Sequence, residues 1–233
     1  MEHSSEKSNL FGMSRRNLLC LFLVVACSSF VAYSTCTLGS AMYSSCSTSV
    51  CNGLTAQLVQ QLNSMGYTFT SMTTSNYTQY VHCSSPCQPY LQQSAAESLL
   101  KAAQSKNDYI TLNSAYRSSA QQYLLYQWYL NGTCSVGLAA KPGQSDHEGG
   151  RSIDTSYYSY WKSTLQSNGW TWSYGSSDPY HFDYFAASDL SAKSLEAFQR
   201  LWNKNNPSEP LSTDGLYGPA TANALYRAPC NGW

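Results

Sequence analysis

Charge is scarce in this sequence. Only 11% of its 233 residues are Asp, Glu, Lys or Arg, and thirteen Lys+Arg balance thirteen Asp+Glu to a formal net charge of zero. A typical soluble domain carries about 25% charged residues. Without a basic surplus there is no face to neutralise a row of phosphates, which excludes a nucleic-acid binder. There is also no block of like charge to hold the chain open, and 42% hydrophobic residues can build a core, so disorder is excluded. Histidine is scarce too, at four residues. The one marked apolar run, residues 18–26, continues less purely through Ser28 and Ser29 to Tyr33. It is shorter than the about 20 residues that a spanning helix needs.

Aromatics are abundant at 14%, with nineteen Tyr and six Trp. A weakly charged chain rich in Ser, Thr, Gln and Tyr has the composition of a protein that works outside the cytosol. The nine cysteines agree with that reading. Cys20 and Cys27 lie in the apolar run, which leaves seven: Cys36, Cys46, Cys51, Cys83, Cys87, Cys134 and Cys230. The C-x4-C pair Cys46/Cys51 and the C-x3-C pair Cys83/Cys87 match a structural zinc knuckle poorly, so disulfides are expected instead. Seven is odd, so one thiol stays free or leaves with the leader. The pairing is not deducible from spacing.

Residues 1–34 read as a secretion signal. Arg15 and Arg16 precede the apolar run, and Ala32-Tyr33-Ser34 offers small residues for cleavage. An uncleaved signal anchor is the alternative. Ser14-Arg15-Arg16-Asn17-Leu18 resembles a twin-arginine signal, and Val24-Val25-Ala26-Cys27 resembles a lipoprotein box. Asn76-Tyr77-Thr78 and Asn131-Gly132-Thr133 are glycosylation sequons, which count only in a eukaryotic host. The expected localisation is secreted or extracytoplasmic, with a membrane involved only through that leader.

Downstream, the Ser/Thr/Cys-rich residues 36–51 read as a stapled loop. Leu54, Leu58, Val59 and Leu62 give helical spacing over residues 52–65, with Gly66 as the stop. Residues 66–81 alternate as a strand or extended segment does. Helices are expected over residues 92–105, 119–130 and 161–168, and strands over 109–112, 170–174 and 181–185. The mixture implies an α+β domain across residues 35–187. After Ala187 an amphipathic helix over residues 191–202 and a short one ending at Tyr226 suggest a small helical module, residues 188–233, with a core of marginal size. Cys230 is a candidate tether for it.

The chemistry concentrates in two stretches. Residues 145–154 have the form S-x-H-x-x-G-x-x-x-D, with His147 and Asp154, and Asp178-Pro179-Tyr180-His181-Phe182-Asp183 supplies a second His between acids. Two imidazoles and a carboxylate make a three-ligand catalytic zinc site with one position left for water. Bound zinc activates that water and polarises a carbonyl, while a nearby carboxylate takes the proton. Gly149 and Gly150 permit the tight turn that brings His147 and Asp154 together. His82, between Val81 and Cys83, reads as structural, and the tyrosines of residues 123–129 read as helix core.

With Ser114-Ala115-Tyr116-Arg117-Ser118 upstream, these motifs resemble, from residue 113 to 187, the zinc D-alanyl-D-alanine carboxypeptidases of the vancomycin-resistance type. They also resemble the related L-alanyl-D-glutamate endopeptidases of phage lysins. The resemblance implies a small antiparallel sheet flanked by helices and one zinc ion held by His147, Asp154 and His181. It implies Asp178 as general base and Arg117 as the cation for the substrate carboxylate or developing oxyanion. It also makes Gln122 and Ser145 substrate contacts. Asp183 is the rival base, or a partner that orients the His181 ring. Glu148 is another rival base because it follows a ligand, but the family places variable residues there, so it is left out of the site. Carboxypeptidases of this type usually carry Glu at the base position and the endopeptidase branch often Asp, so Asp178 leaves the scissile bond open.

Ala197-Phe198-Gln199-Arg200 and residues 214–221 resemble a peptidoglycan-binding three-helix module. An ordinary helical extension is the plainer alternative. The implied partner is peptidoglycan or its stem peptides, with no nucleic acid. The expected function is a carboxypeptidase that trims stem peptides. An endopeptidase and a non-catalytic wall-binding protein remain as alternatives.

Overall fold

Thr37 opens the described part of the fold. Its side chain accepts a hydrogen bond from the Ser40 amide while the Ser40 hydroxyl answers the Thr37 amide, a reciprocal cap that starts helix α1, Leu38–Ser44. The computed structural model describes residues 36–233, and the leader expectation falls outside them. No helix among the described residues is long and apolar enough to cross a membrane.

A 3-10 turn, Thr48–Cys51, leads into α2, Asn52–Ser64. Residues 36–51 are therefore largely helical, not the loop expected from their Ser/Thr/Cys content. Leu38, Ala41 and Met42, three and four apart, give α1 a buried face, and the cap and that face outweigh weak propensity. Residues 66–81 hold only a two-residue strand, β1 (Thr70–Ser71), and one helical turn, α3 (Ser75–Thr78), before β2, Val81–Cys83. After β3 (Tyr90–Leu91), α4 runs Gln93–Lys106 and ends on Asn107 in the left-handed region. Strand β4 is Ile110–Leu112. A second reciprocal cap, Ser118 with Gln121, starts α5, Ser119–Asn131. The remaining elements are β5 (Ser152–Asp154), α6 (Tyr158–Ser167), a 3-10 turn (Gly175–Ser177), β6 (His181–Asp183), α7 (Ser191–Asn205) and α8 (Pro219–Arg227).

The strands form three two-stranded pieces, β1–β3 and β5–β6 antiparallel and β2–β4 parallel. The class is α+β as expected, but the small sheet is divided and partly parallel. Residues 170–174 contribute one isolated bridge, Thr171 with Asp183, and no strand. Their indoles anchor elsewhere, Trp170 Nε1 donating to Ser98 Oγ and Trp172 Nε1 to the Pro179 carbonyl.

Two larger hydrophobic clusters divide the interior. One gathers Val81, Leu99, Ile110, Ile153, Trp161 and Phe182 behind the paired strands. The other gathers Leu38, Leu54, Leu58, Leu124 and Trp128 with Leu195, Phe198, Trp202 and Leu225. Residues 188–233 thus have no separate core; α7 and α8 complete the one begun by α1, α2 and α5. Tyr123 is buried in this cluster as expected, whereas Tyr126 and Tyr129 are half-buried.

Among the described residues the disulfides are Cys36–Cys230, Cys46–Cys134 and Cys83–Cys87, and Cys51 is free and buried. Burial pushes the Cys51 thiol up to about 12, which leaves it protonated and unreactive. Cys36–Cys230 spans 194 positions of sequence and is flanked by backbone bonds, Cys230 N–H to the Cys36 carbonyl and Leu38 N–H to the Ala228 carbonyl. Closing so long a loop stabilises by restricting the unfolded chain, about 2–5 kcal/mol. The Cys36→Ser/Cys230→Ser double variant is accordingly expected to melt well below the parent in a calorimetric scan. An unchanged Tm would show that the backbone bonds alone hold this seam.

Candidate metal centre

The β5–β6 register sets Asp154 directly opposite His181. The His147 end is delivered by the turn that follows Ser145: Gly150 adopts φ +65 and returns its N–H to the His147 carbonyl at 3.0 Å. A side chain at Gly150 would also meet the Phe69 ring at 3.0 Å. Glycine therefore serves both the turn and its packing.

The three side chains converge. His147 Nε2 lies 3.2 Å from His181 Nδ1 and 3.3 Å from Asp154 Oδ2, and His181 Nδ1 lies 3.1 Å from Asp154 Oδ1. One donor atom from each falls within 4.8 Å of the others, the one such group of His, Cys, Asp and Glu among the described residues. Each ring is oriented from behind. His147 Nδ1 is 2.7 Å from the Ala115 carbonyl, which fixes the proton there and leaves Nε2 free as a ligand. His181 Nε2 is 2.9 Å from Asp183 Oδ1, which turns Nδ1 inward. Such outer partners are a regular feature of metal-binding histidines, and the donor set fits one divalent ion.

The electrostatics follow from this crowding. Burial raises Asp154, but the His147 and His181 contacts and Arg117 overcome it and hold the carboxylate well below its usual range. Burial lowers His147. It works the same way on His181, where hydrogen bonds to Asp154 and Asp183 outweigh it and push the ring up to about 10. An imidazole pair held against carboxylates in this way competes for protons as well as for metal.

The remaining expected residues surround the same cleft, a cavity of about 320 Å³ lined by Arg117, Gln122, Ser145, Asp178 and the three donor residues. Arg117 Nη2 is 3.5 Å from Asp154 Oδ2 and donates to Ser114 Oγ at 3.1 Å; Nη1 donates to Gln122 Oε1 at 3.0 Å. Asp178 is exposed at the rim, beside Pro179, whose carbonyl is tied to the Trp172 indole. Asp183 is fully buried and occupied by His181, Ser152 and Ser173. Glu148 turns away from the donor group and accepts backbone N–H bonds; burial pushes it up to about 8 against those bonds. His82 is exposed, with its ring against Tyr109.

Tyr174 was not expected. Its ring centroid lies 5.0 Å from that of His181, and it lines the cleft. Its position in a segment read as a strand carried no signal of that contact. Leu125, Val136, Leu138, Ala139 and Ala140, also unanticipated, form an apolar wall.

An α+β fold with a His/Asp/His group in an open cleft beside an arginine and a free carboxylate defines a candidate hydrolase. Residues 88–182 match the family model VanY, D-alanyl-D-alanine carboxypeptidase. The matched segment is thus similar to D-alanyl-D-alanine carboxypeptidases. It contains every residue that lines the cleft and stops before residues 188–233. No curated protein matches the chain.

Proposed function

We propose that this chain is an exported zinc metallopeptidase that removes the terminal D-Ala of peptidoglycan stem peptides. The convergence of His147, Asp154 and His181, with both rings oriented from behind, carries the proposal. Zinc bound there supplies a Lewis acid for the scissile carbonyl and acidifies water. Asp178 at the rim accepts the proton of the attacking water and returns it to the leaving amine. Arg117, held by Gln122 and Ser114, pairs with the terminal carboxylate of the substrate as a guanidinium fork suits. Ser145 and Gln122 contact the bound peptide. Three disulfides and the leader-like residues 1–34 support export, and residues 188–233 are proposed to touch the wall.

A second reading, cleavage of the L-Ala–D-Glu bond, has its own support. A further cavity of about 240 Å³ adjoins the cleft, sharing Arg117, Leu125 and Asp154 with it. Room beyond Arg117 suits a leaving group longer than one residue. Mass spectrometry of digested muropeptides, run with zinc analysis of the same sample, distinguishes the readings. Loss of one D-Ala supports the carboxypeptidase, and release of the stem supports the endopeptidase. No product from a fully metallated sample would leave a wall-binding protein.

A further inference from the structure

Glu148 is fully buried beside a proposed ligand, yet no step of the proposed hydrolysis uses it. Among the described residues its carboxylate bonds only to backbone: the Gly143 N–H donates to both oxygens, at 2.8 and 3.0 Å, and the Ser145 N–H donates at 3.3 Å. A buried carboxyl group held only by backbone amides, with no cation bonded to it, is costly to keep in the interior, so its place here calls for a reason. The amides it holds belong to the loop that walls the cleft. In that loop the Ala140 carbonyl accepts Gln122 Nε2 at 2.7 Å, and Gln122 Oε1 accepts Arg117 Nη1 at 3.0 Å.

The opposite side of the loop is fixed as well. Gly143 has φ +81, and a Cβ there would lie 2.9 Å from Leu195 Cδ2 and 3.1 Å from the Gly215 carbonyl. The loop is therefore clamped between Glu148 inside and the C-terminal segment outside.

We propose that Glu148 is a positioning residue that sets the depth of loop 140–145 and, through Ala140 and Gln122, aims Arg117 at the substrate carboxylate. The inference rests on the reading of Arg117 given above.

The test compares hydrolysis of one D-Ala-D-Ala stem peptide with a free C-terminus and the same peptide amidated at that end. Glu148→Gln keeps the size of the side chain but sets an NH2 against amides that need an acceptor. It is expected to keep its zinc and its Tm, and to raise KM for the free acid roughly 10- to 100-fold with little change in kcat. The amidated peptide, which gives Arg117 no carboxylate, should be cut by variant and parent alike. Gly143→Ala pushes the same loop from its other side and should reproduce the pattern. Arg117→Lys provides the reference for lost discrimination. If Arg117→Lys treats the two peptides as the parent does, the reading of Arg117 fails and takes the proposal with it. If Arg117→Lys loses discrimination while Glu148→Gln and Gly143→Ala keep it, or lose both peptides equally, the proposal alone is overturned.

Discussion

His147→Ala is expected to abolish both metal binding and turnover. The substitution removes Nε2 from a group whose three donors lie within 4.8 Å, and two ligands hold zinc far less well than three. It also strips the Ala115 carbonyl of its donor, so the effect combines a lost ligand with a loosened turn. A Lewis acid contributes several kcal/mol to carbonyl hydrolysis; at about 1.4 kcal/mol per tenfold, turnover should fall about 1,000-fold or more. Zinc per chain and peptide hydrolysis are read on one preparation, with His82→Ala beside it as the exposed-histidine control. Full zinc content in the His147 variant would sink the ligand assignment.

Asp178→Asn should do the opposite to metal: zinc stays and turnover drops by ~100 to ~10,000, the usual contribution of a general base. Asp178 is exposed at the rim of the cleft, whereas Asp183 is buried and already receives three donors. A carboxylate so occupied has little left to take a proton from water, but it can hold a ring in one tautomer. Asp183→Asn is therefore expected to weaken zinc affinity by roughly 10- to 100-fold and to recover activity when zinc is added. An Asp178→Asn enzyme with near-parental kcat, next to an Asp183→Asn enzyme that stays inactive under saturating zinc, would exchange the two roles.

The difference between these acids shows what the sequence made legible. His147 and Asp154 lie seven positions apart around Gly150, so a local turn suffices to join them, and their residue types already name the chemistry. His181 and Asp183 alternate along one strand, which placed them together beforehand. The rest required tertiary facts. The pairing of β5 with β6 that sets Asp154 against His181 spans 27 positions, and neither strand alone encodes it. Tyr174 reaches His181 from a segment whose alternating aromatics imitate a strand. Glu148 looked like a rival base because it follows a histidine, and only the positions of the Gly143 and Ser145 amides reveal what it holds. The helical face of α1 was readable from Leu38, Ala41 and Met42, but polar composition obscured it. The segment after Ala187 looked short of core because its apolar partners, Leu54 and Leu58 among them, lie far upstream.

The bond between Cys36 and Cys230 has a mechanical and topological consequence. It turns everything between those two residues into a closed ring. Tension applied to the chain on either side of that ring passes from one sulfur to the other and bypasses the helices, strands and cleft inside. An unfolding machine or exopeptidase that works inward from a terminus is likewise halted at the crosslink, with the metal-binding residues still enclosed. Dismantling the fold then needs either a reductant or an internal cut, and the lifetime of the cleft depends on the redox state of its surroundings.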